Sequence, residues 1–78
     1  MKAVEVLEFI AKQLVDHPDD VRVEVVDGGR QTTLELYVND DDLGKVIGKR
    51  GRTAKALRTL VNAAASLDDD SVHVEIVD

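Results

Sequence analysis

The sequence predicts an α+β domain of two layers, with a three-stranded mixed sheet carrying three helices on one face in the order α-β-β-α-α-β. Three observations predict it. Apolar residues alternate with polar ones in three short stretches, "VRVEVVD", "TTLELYV" and "SVHVEIV", the period of half-buried strands. Apolar residues recur at helical spacing before the first stretch and between the second and third. Two pairs of nearby glycines, Gly28-Gly29 and Gly48 with Gly51, mark the points where the chain must turn sharply.

The first helix is expected over Ala3 to Asp16, with Val6, Leu7, Ile10 and Leu14 on its inner face and Glu5, Glu8 and Lys12 opposite. Phe9 is expected in the core. Pro18 stops the helix, because the residue before a proline avoids helical geometry. Val21, Val23 and Val25 then share one face of the first strand, and Arg22 and Glu24 the other. Asp27 to Arg30, "DGGR", supplies the positive-φ residues of a tight hairpin. In the second strand Leu34, Leu36 and Val38 face the core, and Thr33, Glu35 and Tyr37 face away. "NDDD", Asn39 to Asp42, starts a short helix over Asp41 to Ile47, with solvated acids capping its free N–H groups. Gly48 to Gly51 interrupts it. The last helix runs from about Arg52 to Ser66 and buries Ala54, Leu57, Leu60, Val61 and Ala64. Val72, Val74 and Ile76 form the core face of the third strand. A right-handed two-helix crossover returns that strand parallel to the second. The opposite sheet face, with Arg22, Glu24, Glu35, Tyr37, His73 and Glu75, is expected to be wet.

Seventy-eight residues suit one domain, residues 1–78. A domain this small buries only about 60% of its unfolded surface, so its core must be efficient. The hydrophobic share of 44% suffices for that and exceeds what a disordered chain carries. With no Cys, disulfides and thiolate metal sites are excluded. Glu5 and Glu8 interrupt the apolar run that a signal peptide needs, and no stretch reaches the roughly 20 apolar residues of a membrane span. A cytoplasmic protein is expected.

The formal net charge of -6 argues against a polyanionic partner. The distribution argues for one. Between Leu43 and Leu67 lie Lys45, Lys49, Arg50, Arg52, Lys55 and Arg58, six of the ten cations and none of the 16 acids. A Debye length of about 8 Å at physiological salt lets a bound anion feel chiefly this local patch. A basic helix face that merely balances an acidic sheet has the same composition, so charge alone leaves both readings open.

Gly48-Lys49-Arg50-Gly51 stands at the tip of that patch, between two helices. Its glycines leave no Cβ to obstruct a ligand. The N–H groups that open the following helix point toward the turn and attract phosphate. Lys49 and Arg50 add full charges, and the guanidinium fork suits phosphate oxygens. Arg52 and Lys55 extend the strip. The turn fits neither the nucleotide-hydrolase phosphate loop nor the dinucleotide fingerprint, both of which follow a strand.

"LGKVIGKRGRTAKALRTLV", Leu43 to Val61, resembles the signature of a KH domain, with Ile47-Gly48-Lys49-Arg50-Gly51 as its Ile-Gly-x-x-Gly core. The helix-first order resembles the type II form of the KH fold. The whole chain, including "VDHPDDV", is similar to the small bacterial single-KH proteins of the KhpA family. The resemblance implies RNA binding, in which the Gly-x-x-Gly turn clamps the backbone of about four unpaired nucleotides. It places Gly48, Lys49, Arg50 and Gly51 on the backbone, with Lys45, Arg52 and Lys55 around them. Val46, Ile47, Ala54 and Leu57 match positions that line an aliphatic groove for the bases, although some of them must be core. It further implies a post-transcriptional regulator or RNA chaperone that pairs with itself or with a KhpB (Jag/EloR)-type KH protein. Aromatic content of 3% leaves little base stacking, so one copy should bind modestly and pairing would add avidity.

No enzyme is expected, and neither a metal nor a cofactor. His17 and His73 are far apart, Ser66 and Ser71 lack a base, and Asp40-Asp41-Asp42 and Asp68-Asp69-Asp70 read as helix-end acids. The rival reading is a protein-interaction module, with RNA contact incidental, that uses the Ala-rich helix and an exposed strand edge.

Overall fold

In the computed structural model, which describes residues 1–78, helix α1 (Lys2–Leu14) is followed by strands β1 (Arg22–Asp27) and β2 (Thr32–Tyr37), helices α2 (Leu43–Ile47) and α3 (Arg52–Ser66), and strand β3 (Val72–Ile76). The sheet order is β1-β2-β3. β1 pairs antiparallel with β2, setting Val23 opposite Leu36 and Val25 opposite Leu34. β3 pairs parallel with β2, setting Leu34 opposite Val74 and Leu36 opposite Ile76. The expected order and strand directions are those observed.

The core lies between the sheet and the helical layer. Leu34 and Leu36 of the central strand, Val72 and Val74 of β3, Leu7 of α1, Val46 of α2, and Leu57 and Val61 of α3 meet there. Alanines at 3, 11, 64 and 65 are buried where α1 and α3 must approach their neighbours closely.

Several expected core positions lie outside. Phe9 is 66% exposed. It stands two residues, about 200° round the helix, from fully buried Leu7, so α1 carries it on its outer face. The buried line of α1 is Ala3, Leu7 and Ala11, with Val6 and Ile10 only flanking it and Leu14 exposed. Leu60 is 52% exposed. The buried arc of α3 tilts through Leu57 and Val61 toward Ala54 and Ala65, away from Leu60. Along β1 burial fades from Val21 through Val23 to Val25, which is 50% exposed, because the helical layer does not reach the hairpin end. Gly29, with φ 88°, makes that hairpin, and the Gly28 N–H donates to the Gln31 carbonyl at 3.1 Å.

On the outer sheet face Glu24, Glu35 and Glu75 stand directly opposite one another across the three strands. Like charges so placed are destabilising. Arg22 offsets them: its Nε lies 2.9 Å from Glu24, and its guanidinium sits 4.2 Å from the Tyr37 ring centroid. The Tyr37 hydroxyl donates to Glu35 at 3.1 Å.

The acids before α2 do not all form the expected solvated cap. Residues Asp40–Asp42 make a one-turn 3-10 helix, capped by Asn39, whose Oδ1 accepts from the Asp41 N–H at 2.9 Å. Asp42 is fully buried. Its Oδ1 accepts from the Asp16 N–H at 3.2 Å, and its Oδ2 accepts from the His17 N–H and from His17 Nδ1, both at 3.0 Å. Burial pushes the Asp42 carboxyl up, but the Asp16 N–H and the ring and N–H of His17 together hold it below the usual range. The hydrogen bond to Asp42 raises His17, aided by the fields of Asp42, Asp20 and Asp41 and opposed by partial burial.

Two predictions follow from this packing. Leu36→Ala removes a fully buried side chain from the central strand and should cost about 2–5 kcal/mol, read as a drop in melting temperature. A melting point that scarcely moves would contradict the register. The second concerns pH. A raised His17 stabilises the fold below the ordinary histidine value of about 6.5, and this is lost as pH rises through the raised value. A lowered Asp42 stabilises it above about 3.9, and this is lost as pH falls through the lowered value. From pH 5.5 to 8, wild type should therefore lose more stability than His17→Gln in matched thermal melts. Superimposable profiles would refute the linkage.

Candidate nucleic-acid interface

The turn between α2 and α3 begins where α2 ends, at Ile47. Gly48 has φ 76° and ψ 172°, a combination essentially restricted to glycine. A Cβ there would also collide with the Thr53 side chain and lie 2.9 Å from the Thr53 backbone nitrogen. Gly51 is required for a different reason. Its φ is 73°, while nothing stands within 4 Å of where a Cβ would be. The first glycine lets the chain fold tightly against α3, and the second keeps the outer side of the turn open. Arg50 between them adopts φ 58° and ψ 26°, left-handed for a residue with a side chain. The Gly48 N–H donates to the Gly44 carbonyl at 2.9 Å, and the Gly51 N–H to the Gly48 carbonyl at 3.1 Å. The interruption expected at Gly48 to Gly51 is thus a one-turn 3-10 helix, Lys49–Gly51, kinked at Arg50.

Lys49 and Arg50 are exposed at the tip, and Arg52 and Lys55 are exposed on the first turn of α3. No side chain caps that helix start, and no acid lies in its first turn. Its leading N–H groups and the four cations therefore share one electropositive end. None of these four cations enters an ion pair in the fold, whereas Lys45 does. Lys45 Nζ lies 3.0 Å from Asp16 Oδ2 and 3.7 Å from Asp42 Oδ1, and the bond to Asp16 raises its pKa. Of the expected basic strip, the structure gathers Lys49, Arg50, Arg52 and Lys55 as free charges and pairs Lys45 with Asp16 and Asp42.

The four aliphatic positions considered for a groove divide as sharply. Val46, Ala54 and Leu57 are buried in the core layer, and Ile47 alone presents surface, 38% exposed. Beside them α3 turns a polar flank to the unpaired edge of β3. Arg58 Nε donates to the Val74 carbonyl at 3.2 Å, and Asn62 Oδ1 accepts from the Val72 N–H at 3.0 Å. Helical spacing sets both residues beside the buried Leu57 and Val61 but does not show which strand edge they meet. On the far flank of α3, Arg52, Lys55, Ala56, Thr59 and Leu60 line a shallow open groove. His17 and His73 do not meet: His17 joins Asp42, and His73 stands on the outer sheet face.

Comparison with known proteins agrees with this geometry. The family model described as KhpA/KhpB, KH domain, matches residues 4–76. The "RNA-binding protein KhpA" of Halalkalibacterium halodurans is 57% identical over 72 residues, covering 92% of this chain and 95% of that protein. The protein of the same name from Clostridium perfringens is 55% identical over 73 residues, covering 94% and 97%, and that of Borreliella burgdorferi is 48% identical over 75 residues, covering 96% and 92%. Among solved structures, Era of Aquifex aeolicus bound to GDP·AlF4- superposes with a TM-score of 0.73 at 20% identity, over 95% of this chain and 29% of that one. Era in complex with MgGDPNP and nucleotides 1506-1542 of 16S ribosomal RNA gives the same TM-score and identity, over 95% and 28%. The Gly48–Gly51 turn, the α-β-β-α-α-β order around it and the near full-length likeness converge, and the chain belongs to the KhpA/KhpB KH-domain family.

Proposed function

We propose that this protein binds short single-stranded RNA, with Gly48, Lys49, Arg50 and Gly51 clamping the sugar-phosphate backbone. The observation that carries the reading is the set of unpaired cations, Lys49, Arg50, Arg52 and Lys55, around an uncapped helix start and an open glycine turn. The names of its relatives support the same ligand. Arg52 and Lys55 extend the contact to neighbouring phosphates. Ile47 offers an apolar surface to a base. Lys45 contributes at the margin, because Asp16 and Asp42 share its charge. Val46, Ala54 and Leu57 support the groove from beneath. The protein acts in this reading as a cytoplasmic post-transcriptional regulator or RNA chaperone, and no helix of it is long and apolar enough to cross a membrane.

A pairing role is favoured by a separate observation. The far flank of α3 exposes Leu60 and, beyond the helix end, Leu67, which is 78% exposed. Such apolar exposure on a small protein suits a second copy or a related KH protein of the KhpB (Jag/EloR) type. Pairing would join two short sites and raise their combined affinity.

Changing Lys49 and Arg50 together to Asp, with both glycines kept, should leave circular dichroism unchanged and abolish binding to a short single-stranded RNA pool in fluorescence anisotropy. Wild-type affinity should fall with salt at a slope near -0.7 per phosphate contact. Undiminished binding by the double variant would eliminate the clamp, and a flat salt response would favour the interaction module. For pairing, sedimentation should show a dimer for wild type and a monomer for Leu60→Asp. A wild-type monomer at high concentration would leave only a heterologous partner for that flank.

A further inference from the structure

We infer that Asp42 is a positioning residue for the Gly48–Gly51 turn: its buried carboxylate ties the start of α2 to the backbone of Asp16 and His17, and so fixes where the turn stands relative to α1 and the sheet. The consequence for RNA rests on the function proposed above. The positioning itself does not.

Helix α2 has five residues, too few to persist on their own hydrogen bonds. Something outside it must hold it. Val46 supplies one buried contact near its far end. The near end is held by Asp42, which makes no side-chain cap to α2 itself. Its oxygens are turned instead to residues 16 and 17, more than two dozen positions earlier in the chain. Gly48 stands six positions after Asp42, a span of about 9 Å at helical rise. Over so short a distance, a change of angle at Asp42 is carried directly to the turn. Lys45 adds a second strut from the same flank of α2 to the same loop, through Asp16 Oδ2.

The choice of a carboxylate points to geometry rather than to cohesion. Burying an ionised group is costly, and an apolar residue of similar size often stabilises a fold as well or better. A carboxylate provides what an apolar residue lacks, namely directional acceptors. Each oxygen of Asp42 holds a separate backbone N–H, which fixes the helix start in both position and rotation. No buried side-chain nitrogen or oxygen is left without a partner, so the arrangement is complete without a ligand.

The sign of the effect on binding separates positioning from electrostatics. Asp42→Asn removes a negative charge on the segment that leads to a cationic turn. By charge alone, the variant should bind a polyanion more tightly. If Asp42 positions the turn, it should bind more weakly, because a smaller fraction of molecules holds the competent geometry.

The test compares wild type, Asp42→Asn and Val74→Ala, the last a core truncation distant from the anchor that lowers stability alone. Hydrogen exchange is followed in each free protein at the Gly48 and Gly51 amides and at the β2 amides, and affinity is measured on the short single-stranded RNA pool. In Asp42→Asn the Gly48 and Gly51 amides should exchange about tenfold faster relative to β2 than in wild type, and RNA affinity should fall by about tenfold with an unchanged salt slope. Val74→Ala should speed all these amides together and leave affinity within about twofold. Positioning is overturned if the turn amides of Asp42→Asn accelerate only in step with the sheet, or if that variant binds RNA as tightly as wild type or tighter. Should wild type fail to bind RNA, the proposed function falls, and the exchange data still decide the positioning. Should Asp42→Asn fail to fold, His17→Gln removes only the ring contact. It should show the same selective exchange at Gly48 and Gly51, about two- to threefold, and exchange that matches wild type there would overturn the inference.

Discussion

Gly48 holds a backbone conformation that no other residue adopts readily, pressed against the side chain of Thr53. Much of the fold depends on that one constraint. If the chain continued helically through residues 48 to 51, α2 and α3 would be a single rod. The break lets a short helix and a long one pack independently on the same core. It also sets the direction of α3, and with it the crossover that returns β3 parallel to β2. The same break is the candidate RNA clamp, so the residue that makes the fold possible also exposes its reactive surface. A side chain at Gly48 would damage both through sterics, whereas one at Gly51 would meet no atom of the protein and act through backbone strain and crowding of the open side.

Charge is sorted along lines that the fold makes visible. Glu24, Glu35 and Glu75 align across the outer sheet face, while Lys49, Arg50, Arg52 and Lys55 gather at one end of the helical layer. The two groups belong to opposite layers of the domain. A row of facing carboxylates weakens a small sheet, and Arg22 stacked on Tyr37 relieves only part of it. The arrangement makes sense as exclusion. A polyanion would meet repulsion over the broad sheet face and attraction at the Lys49 to Lys55 end, which lets an acidic protein accommodate a polyanionic partner.

Much of the fold was legible because its signals are periodic. Val72 and Val74 alternate as a strand on a covered sheet must, and Leu34 and Leu36 mark the centre because strand periodicity and burial agree there. The glycine turn was legible for a local reason, since only such residues stop a helix and restart it at once. What escaped was information carried between elements. Phe9 is apolar, yet the line of contact on α1 runs through small alanines that periodicity weighs lightly. Leu60 is one helical step from Leu57, yet α3 rolls the other way to meet β3. Asp42 stands in a run of three identical acids, and only its contact with residues far back in the chain distinguishes it from Asp40 and Asp41. In the candidate site, Lys49 and Arg50 could be placed from sequence. That Lys45 is held by Asp16, and that Arg58 and Asn62 satisfy the β3 edge, could not.

Helix α3 carries three different surfaces, and their separation bears on how a small aliphatic domain can act on RNA. Its first turn provides N–H groups and cations. Its inner arc of Ala54, Leu57, Val61 and Ala65 secures the core. Its far flank leaves Leu60 uncovered. With almost no aromatic surface for stacking, phosphate contacts would supply most of the affinity under the proposed clamp, and such contacts weaken in salt. A partner on the Leu60 flank would border Arg52 and Lys55, which line the same groove as Leu60, while Gly48 to Gly51 lie beyond the start of the helix. Two turns could then stand at a fixed separation on one assembly, each engaging a few nucleotides. Specificity would come in part from the spacing of two short RNA segments, a property that a rigid helix can set and an isolated turn cannot.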